Sequence, residues 1–460
     1  MDALLTDALV VTCDDTRAVL RDAAVAIRGD RIAAVGPTTD LLPRFPELER
    51  VRLKGKAILP GLINGHTHTV LTVLRGSVED LGGDAVYGYM SPISFAMTPA
   101  DRSVMALLGC LEAIRSGTTT LVENFRFVPG FAKAMAASGL RLWLAENCAD
   151  ALLLEIRHGR YSYDRAFGEG FLARAAELIE TMHGTHGGRV QCQVAAHATD
   201  NCSPWMLGEL NALAARHKLS RTVHLAQSRG EVEQVKRAHG LTPAGYLDAH
   251  GWAAPDVTGT HWTFCTPDDV GLLAERGVSM AHCPANSSRK GPHRSPVNLI
   301  RDAGVTIAFG TDNMTEDLFQ TLHIGSIVHR GSYGGGVVPD PQTILDSVTR
   351  DGARALGRLA DLGSVEAGKK ADLTVLDLDH PSMRPIVNVV SNIVHYGHPG
   401  LVRHVVVDGE WVMRDGRITT LDEPALLEEG QAVADKVWSK LLAESPDIPP
   451  PRGWQRPRTH

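Results

Sequence analysis

Between residues 57 and 362 the chain alternates short apolar runs with amphipathic stretches of helical period, and eight of these runs have the length and composition of strands. They fall at 58–63, 119–122, 140–145, 190–196, 221–226, 257–260, 278–281 and 305–309. Strand and helix alternating eight times is the pattern of a (β/α)8 barrel, whose chemistry sits on the loops that follow the strands. A doubly wound open sheet is the competing α/β reading of the same rhythm. The flanks read differently. Residues 5–56 hold short alternating runs separated by Arg28-Gly29-Asp30 and Gly36-Pro37, which are hairpin signals, and short strands return at 371–376 and 405–412. The expected architecture is a barrel over 57–362 and a small β-sandwich built from 1–56 and 363–420. A last segment, 421–460, holds a charged helix from about 424 to 442 and a Pro/Arg-rich end that wraps a surface or frays.

The ends of the expected strands carry the chemistry. The first run reaches Ile63, Asn64-Gly65 stops it, and His66-Thr67-His68 follows on a loop. In an extended segment residues i and i+2 point to one side, so both imidazoles reach one ion. Later runs end at His197, His224, His261 and His282, and 305–309 leads through Gly310-Thr311 to Asp312. Imidazoles and a carboxylate with one position left for water make the open, catalytic type of metal site, not a closed structural one. Zn2+ is the default ion, and Fe2+ accepts the same ligands.

Composition excludes several classes. The net charge is −7, with no basic stripe interleaved with aromatics, so nucleic acid is not an expected partner. The start, Met1-Asp2-Ala3-Leu4, lacks a positive region followed by an apolar one, and no run of about 18 apolar residues occurs, so no membrane partner is expected either. Seven scattered cysteines without a Cys-x-x-Cys pair fit a reducing compartment. The expectation is a cytoplasmic protein acting on a small molecule.

The stretch Leu59-Pro60-Gly61-Leu62-Ile63-Asn64-Gly65-His66-Thr67-His68, with Leu74-Arg75-Gly76, resembles the amidohydrolase superfamily. Within it, the chain resembles the branch of S-adenosylhomocysteine and guanine aminohydrolases and the triazine chlorohydrolases. Ser116-Gly117-Thr118-Thr119-Thr120, His282-Cys283-Pro284, Gly310-Thr311-Asp312 and Gly368-Lys369-Lys370-Ala371-Asp372-Leu373 extend the likeness over nearly the whole chain. The resemblance implies one divalent metal held by His66, His68, His224 and Asp312, with His261 hydrogen-bonding the attacking water and His197 and His282 facing substrate. Two-metal branches bridge their ions with a lysine after the fourth strand; residues 190–200 contain none, which favours the single-metal type. The same similarity implies a homo-oligomer, a dimer or larger.

One departure bears on mechanism. Aminohydrolases of this branch read His-x-x-Glu after the fifth strand, and here the segment is His224-Leu225-Ala226-Gln227. An amide cannot carry the proton that the carboxylate passes to the leaving amine. Either another group among His261, His282, Glu123, Glu146 and Glu316 supplies acid and base, or the leaving group needs less help and Gln227 only orients water or substrate, or catalysis has been lost. Asn286-Ser287 inverts the usual Ser-Asn, and Asn313 stands where many deaminases have glycine and triazine hydrolases have asparagine, which makes Asn313 a substrate-contact candidate. The resulting expectation is deamination of a heteroaromatic or amidine-like molecule. Hydrolysis of an exocyclic amide, urea or carbamate, halide displacement, and a metal-binding pseudoenzyme are the alternatives. Residues 78–96 and 149–168 would roof the site.

Overall fold

The computed structural model describes residues 1–79, 85–289, 294–451 and 453. Eight parallel strands follow one another around a barrel: β1 (Leu62–Thr67), β2 (Thr118–Phe125), β3 (Arg141–Cys148), β4 (Val194–Ala198), β5 (Arg221–Leu225), β6 (Val257–His261), β7 (Ser279–His282) and β8 (Ile307–Phe309). Each is parallel to its neighbour in chain order, as right-handed strand–helix–strand units require, so the open-sheet alternative is discarded. Closure comes from a parallel bridge between Thr67 and Asp312. There Asp312 N donates to His66 O at 3.0 Å and His68 N to Asp312 O at 2.7 Å. Gly310 permits this approach: a Cβ on it would lie 2.6 Å from His66 O and 2.8 Å from His66 N.

The first strand corrects the sequence reading twice. The run 58–63 is two strands, because Lys56–Pro60 pairs with Leu373–Asp377 in a separate sheet and β1 starts only after Gly61. The chain passes from sheet to barrel at that glycine, where a side chain would strike Thr119. Asn64-Gly65 also does not end β1. The Asn64 carboxamide is bound to Thr311 Oγ1 (2.8 Å) and Glu316 Oε2 (3.0 Å), and Gly65 lets β8 lie close against the strand. Tertiary pairing overrides the local turn preference, and His66 therefore lies in the strand itself.

Both chain ends build one nine-stranded sheet, hydrogen-bonded continuously from Arg417–Ile418 to Arg31–Pro37. Its alternating apolar residues, among them Leu5, Val25, Ile27, Ile58, Leu373, Val375 and Val406, close on a core of their own. The sheet is tied to the barrel by Arg141 of β3, whose guanidinium bonds Asp372 at 2.7 Å and Asp408 at 2.7 Å. All three partners are largely buried. Removing one member of such a set leaves uncompensated charge, so Arg141→Met is expected to cost about 3–5 kcal/mol of unfolding free energy, read by urea titration.

The C-terminal helix, α1 (Glu423–Glu444), lies where the sequence placed it and packs on the helix Pro99–Arg115. Trp438 anchors it through Nε1 to Val73 O at 2.9 Å. Among the described residues no helix is long and apolar enough to cross a membrane. The expectation of a wrapped or frayed end falls, beyond 451, almost wholly outside the described residues, and part of the expected roof, 80–84, does too.

Candidate active site

At the carboxyl ends of β1, β5, β6 and β8 the side chains of His66, His68, His224, His261 and Asp312 converge, all buried. His66 and His68 share one side of their extended segment, as the spacing predicted. Asp312 Oδ1 lies 3.4 Å from His68 Nε2 and 3.9 Å from His66 Nε2, and the Nε2 atoms of His68 and His224 are 3.3 Å apart. Ligands about 2.1 Å from a tetrahedral ion stand about 3.4 Å from one another, so this set fits one divalent metal. His224 Nδ1 donates to His197 O at 2.6 Å, which fixes the tautomer and leaves Nε2 with a lone pair for the ion. The second oxygen, Asp312 Oδ2, faces His261 Nε2 at 3.8 Å and accepts a bond from Asn286 Nδ2.

The backbone is strained here. His261 has φ 83°, Asp312 has φ 69° and Ala226 has φ 48°, left-handed values that cost a non-glycine residue about 1 kcal/mol or more. Three strand ends turn sharply at the site, which keeps these groups pointed inward instead of along the strands.

A narrow cavity opens above this cluster, and His68, His197, His224, Gln227, His261, Asp312 and Asn313 form part of its wall. His197 is buried, and its burial and the neighbouring Arg126 guanidinium hold it well below the usual histidine range. His282 does not share this wall. Its Nδ1 meets His329 Nε2 at 2.9 Å, and burial, with the Arg301 charge, lowers it to about 3, so it stays neutral.

The three glutamates offered as substitutes for the missing acid are all buried and turned to other partners. Glu146 accepts from Phe127 N (2.9 Å), Val128 N (2.8 Å) and Arg174 Nε (2.8 Å). Glu316 accepts from Thr67 Oγ1 (2.6 Å), Asn64 Nδ2 (3.0 Å) and Thr311 Oγ1 (2.9 Å), locking β1 to β8. Glu123 accepts from Thr69 N (2.8 Å) and Oγ1 (2.6 Å) beneath the loop after β1. None belongs to the cavity wall.

Burial pushes Glu123 up to about 8 from 4.5. The folded protein thus keeps a proton that the unfolded chain releases above about pH 4.5, so this group's contribution to stability falls between pH 4.5 and 8. Glu123→Gln is expected to flatten that slope, raising Tm relative to the parent at pH 8 more than at pH 5. Equal shifts at the two pH values would contradict it.

Sequence reasoning missed Arg126, Asn147 and Glu231, and marked Asn286 only as a departure from the usual Ser-Asn order. The first two are in the cavity wall, and Asn286 binds the carboxylate of Asp312. Glu231, four residues beyond Gln227, bonds Ala226 N (3.0 Å), Gln227 N (2.7 Å) and Thr199 Oγ1 (2.5 Å), and so fixes the loop that presents Gln227. A signal for it existed: Ser228-x-x-Glu231 has the capping-box form, and Ser228 does cap the helix Arg229–His239.

The model of the family described as "Amidohydrolase family" matches residues 57–412. A 5-methylthioadenosine/S-adenosylhomocysteine deaminase of Syntrophobacter fumaroxidans is 31% identical over 438 residues, 94% of this chain and 98% of that one. An adenosine deaminase from Xanthomonas campestris, solved with bound zinc, superposes with a TM-score of 0.88 at 27% identity, covering 95% of this chain and 99% of that one. The fold is shared as well with an atrazine chlorohydrolase from Arthrobacter aurescens TC1, with a TM-score of 0.85 at 23% identity over 94% of this chain and 100% of that one. Metal-ligating residue types at the barrel's carboxyl end and a family match over most of the chain lead to one assignment: this protein belongs to the amidohydrolase family.

Proposed function

We propose that this protein deaminates a small amino-substituted heteroaromatic compound, using one divalent ion, Zn2+ in preference to Fe2+, held by His66, His68, His224 and Asp312. The observation that carries the reading is the convergence of these four side chains, with His261, beneath a cavity. Such an ion lowers the pKa of water from about 15.7 toward about 7, supplying a nucleophile at neutral pH. Asp312 receives the proton that the attacking water gives up, because its Oδ2 is turned toward His261 and away from His66 and His68. His261 Nε2 steadies the charge that develops as oxygen adds to the ring carbon. Gln227 holds water or substrate by its carboxamide. The carbon–nitrogen bond then breaks, the leaving nitrogen takes up the proton, and ammonia and the hydroxy or oxo heterocycle depart.

The relatives' names point to adenosine-like compounds, which sets the first assay: ammonia release from aminopurines, aminopterins and aminotriazines by zinc-loaded protein of known metal content. Release from at least one class at a rate proportional to metal content is the expected result. Binding without turnover on every class would leave a ligand-binding protein instead. A second reading, displacement of halide, draws support from Gln227, since chloride leaves without being protonated and none of the buried glutamates is in the wall to help an amine.

A further inference from the structure

The wall of the cavity has unsatisfied hydrogen-bonding groups of two kinds, on different strands. Asn147, at the end of β3, commits its Nδ2 to Asn124 O at 2.9 Å, and Asn313, just after β8, commits its Nδ2 to Asp312 Oδ1 at 3.1 Å. Each amide is thereby oriented, since a carbonyl and a carboxylate only accept. Both Oδ1 atoms are left buried without a hydrogen-bond partner among the described residues.

The second kind is a pair of facing donors. Ala198 N donates to Asn201 Oδ1 at 3.1 Å, so the Nδ2 of Asn201 is the atom that meets His197 Nδ1, at 2.6 Å. An amide nitrogen only donates; His197 Nδ1 therefore accepts, and its proton sits on Nε2. That N–H is directed at Arg126 Nη2, another donor, 3.1 Å away. Two donors cannot satisfy each other, and both are buried in the wall. Arg126 is 2% exposed, and its Nε has no hydrogen-bond partner among the described residues. Glu146, the carboxylate whose charge reaches it, is already bound by Arg174 and two backbone N–H groups. A buried cation so placed is costly unless an anion joins it.

We propose that Arg126 and His197 form an acceptor-oxygen subsite, and that the substrate is an aminoheterocycle bearing a ring oxo group or a carboxylate, whose amino N–H groups meet Asn147 Oδ1 and Asn313 Oδ1. One acceptor oxygen between His197 Nε2 and Arg126 Nη2 turns the donor conflict into two hydrogen bonds, the one from the guanidinium charge-assisted. The subsite rests on the deaminase reading only for the presence of the amino group. It separates this protein's preference from an adenosine base, which offers ring nitrogens but no ring oxygen.

The test uses three matched probes: 2-aminopyrimidine, 2-amino-4-oxopyrimidine and 2-aminopyrimidine-4-carboxylate. Their affinities for the zinc-loaded protein are measured by calorimetry, alongside ammonia release. At least one oxygen-bearing probe is expected to bind about tenfold or more tighter than 2-aminopyrimidine, and which one does so tells oxo group from carboxylate. Arg126→Met should remove the preference and Arg126→Lys should keep most of it, with Tm recorded for each. If Arg126→Met does not fold, the parent and the Arg126→Lys protein decide. Equal affinity across the three probes, no detectable binding of either oxygen-bearing probe, or a preference undiminished in a folded Arg126→Met protein would overturn the subsite. Preferential binding without ammonia release would support the subsite and count against deamination.

Discussion

Alanine at position 66 is expected to empty the metal site and abolish turnover together. His66 is at the centre of the cluster: its ring lies 4.7 Å from that of His68, 4.9 Å from that of His224 and 5.8 Å from that of His261, centroid to centroid. Removing it takes away one of the four proposed ligands and opens a hole among the others. Three remaining ligands hold an ion far less tightly, and the expected loss of activity is on the order of 10⁴-fold or more, comparable to removing the source of nucleophile altogether. Elemental analysis after gel filtration reads the metal, and ammonia release reads the turnover. The protein itself should stay folded, because the closure of the barrel at this point runs through the backbone of residue 66, whose carbonyl accepts from Asp312 N. Full metal stoichiometry in a folded His66→Ala protein would remove the ligand assignment.

The barrel was legible because each of its strands is buried on both faces and reads as an apolar run, and because helices of clear period separate them. The hand-over at Gly61 was not, since a strand of the terminal sheet and a strand of the barrel are equally apolar and meet at a single residue. The histidines at strand ends stood out by position alone. By contrast, nothing in Glu123, Glu146 or Glu316 as residue types distinguishes a carboxylate that reaches substrate from one that locks strands together. That difference lies in partners far away in the chain, such as Thr67 and Asn64 for Glu316. Arg126 and Asn147 escaped for a related reason: their meaning lies in which of their atoms are left over once neighbours are counted. His282 shared the strand-end position of His197 but turns to His329, from a helix after the barrel's last strand.

Those same glutamates make the substitution Gln227→Glu informative. Each has donors of its own and none is in the cavity wall, so a carboxylate at 227 would be the first glutamate there, near His261 and Asp312. Its loop is already fixed by Glu231 through the backbone N–H groups of residues 226 and 227, so the new side chain starts from a preset position. General acid–base assistance is worth about 10² to 10⁴ in rate when the leaving group must be protonated. The gain should therefore depend on the leaving group. On an aminoheterocycle that departs as ammonia, kcat is expected to rise about 10²-fold, and its pH profile to acquire an acidic limb from the new carboxyl. On the chloro analogue of the same ring, where chloride leaves unprotonated, the rate should change little. A uniform effect on both substrates would mean that residue 227 acts on binding alone, and a fall on the amine would mean that the parent already delivers the proton by a route the carboxylate disturbs. The second outcome would point to the proposed catalytic groups His261 and Asp312 as a complete acid–base pair, whose Nε2 and Oδ2 face each other at 3.8 Å.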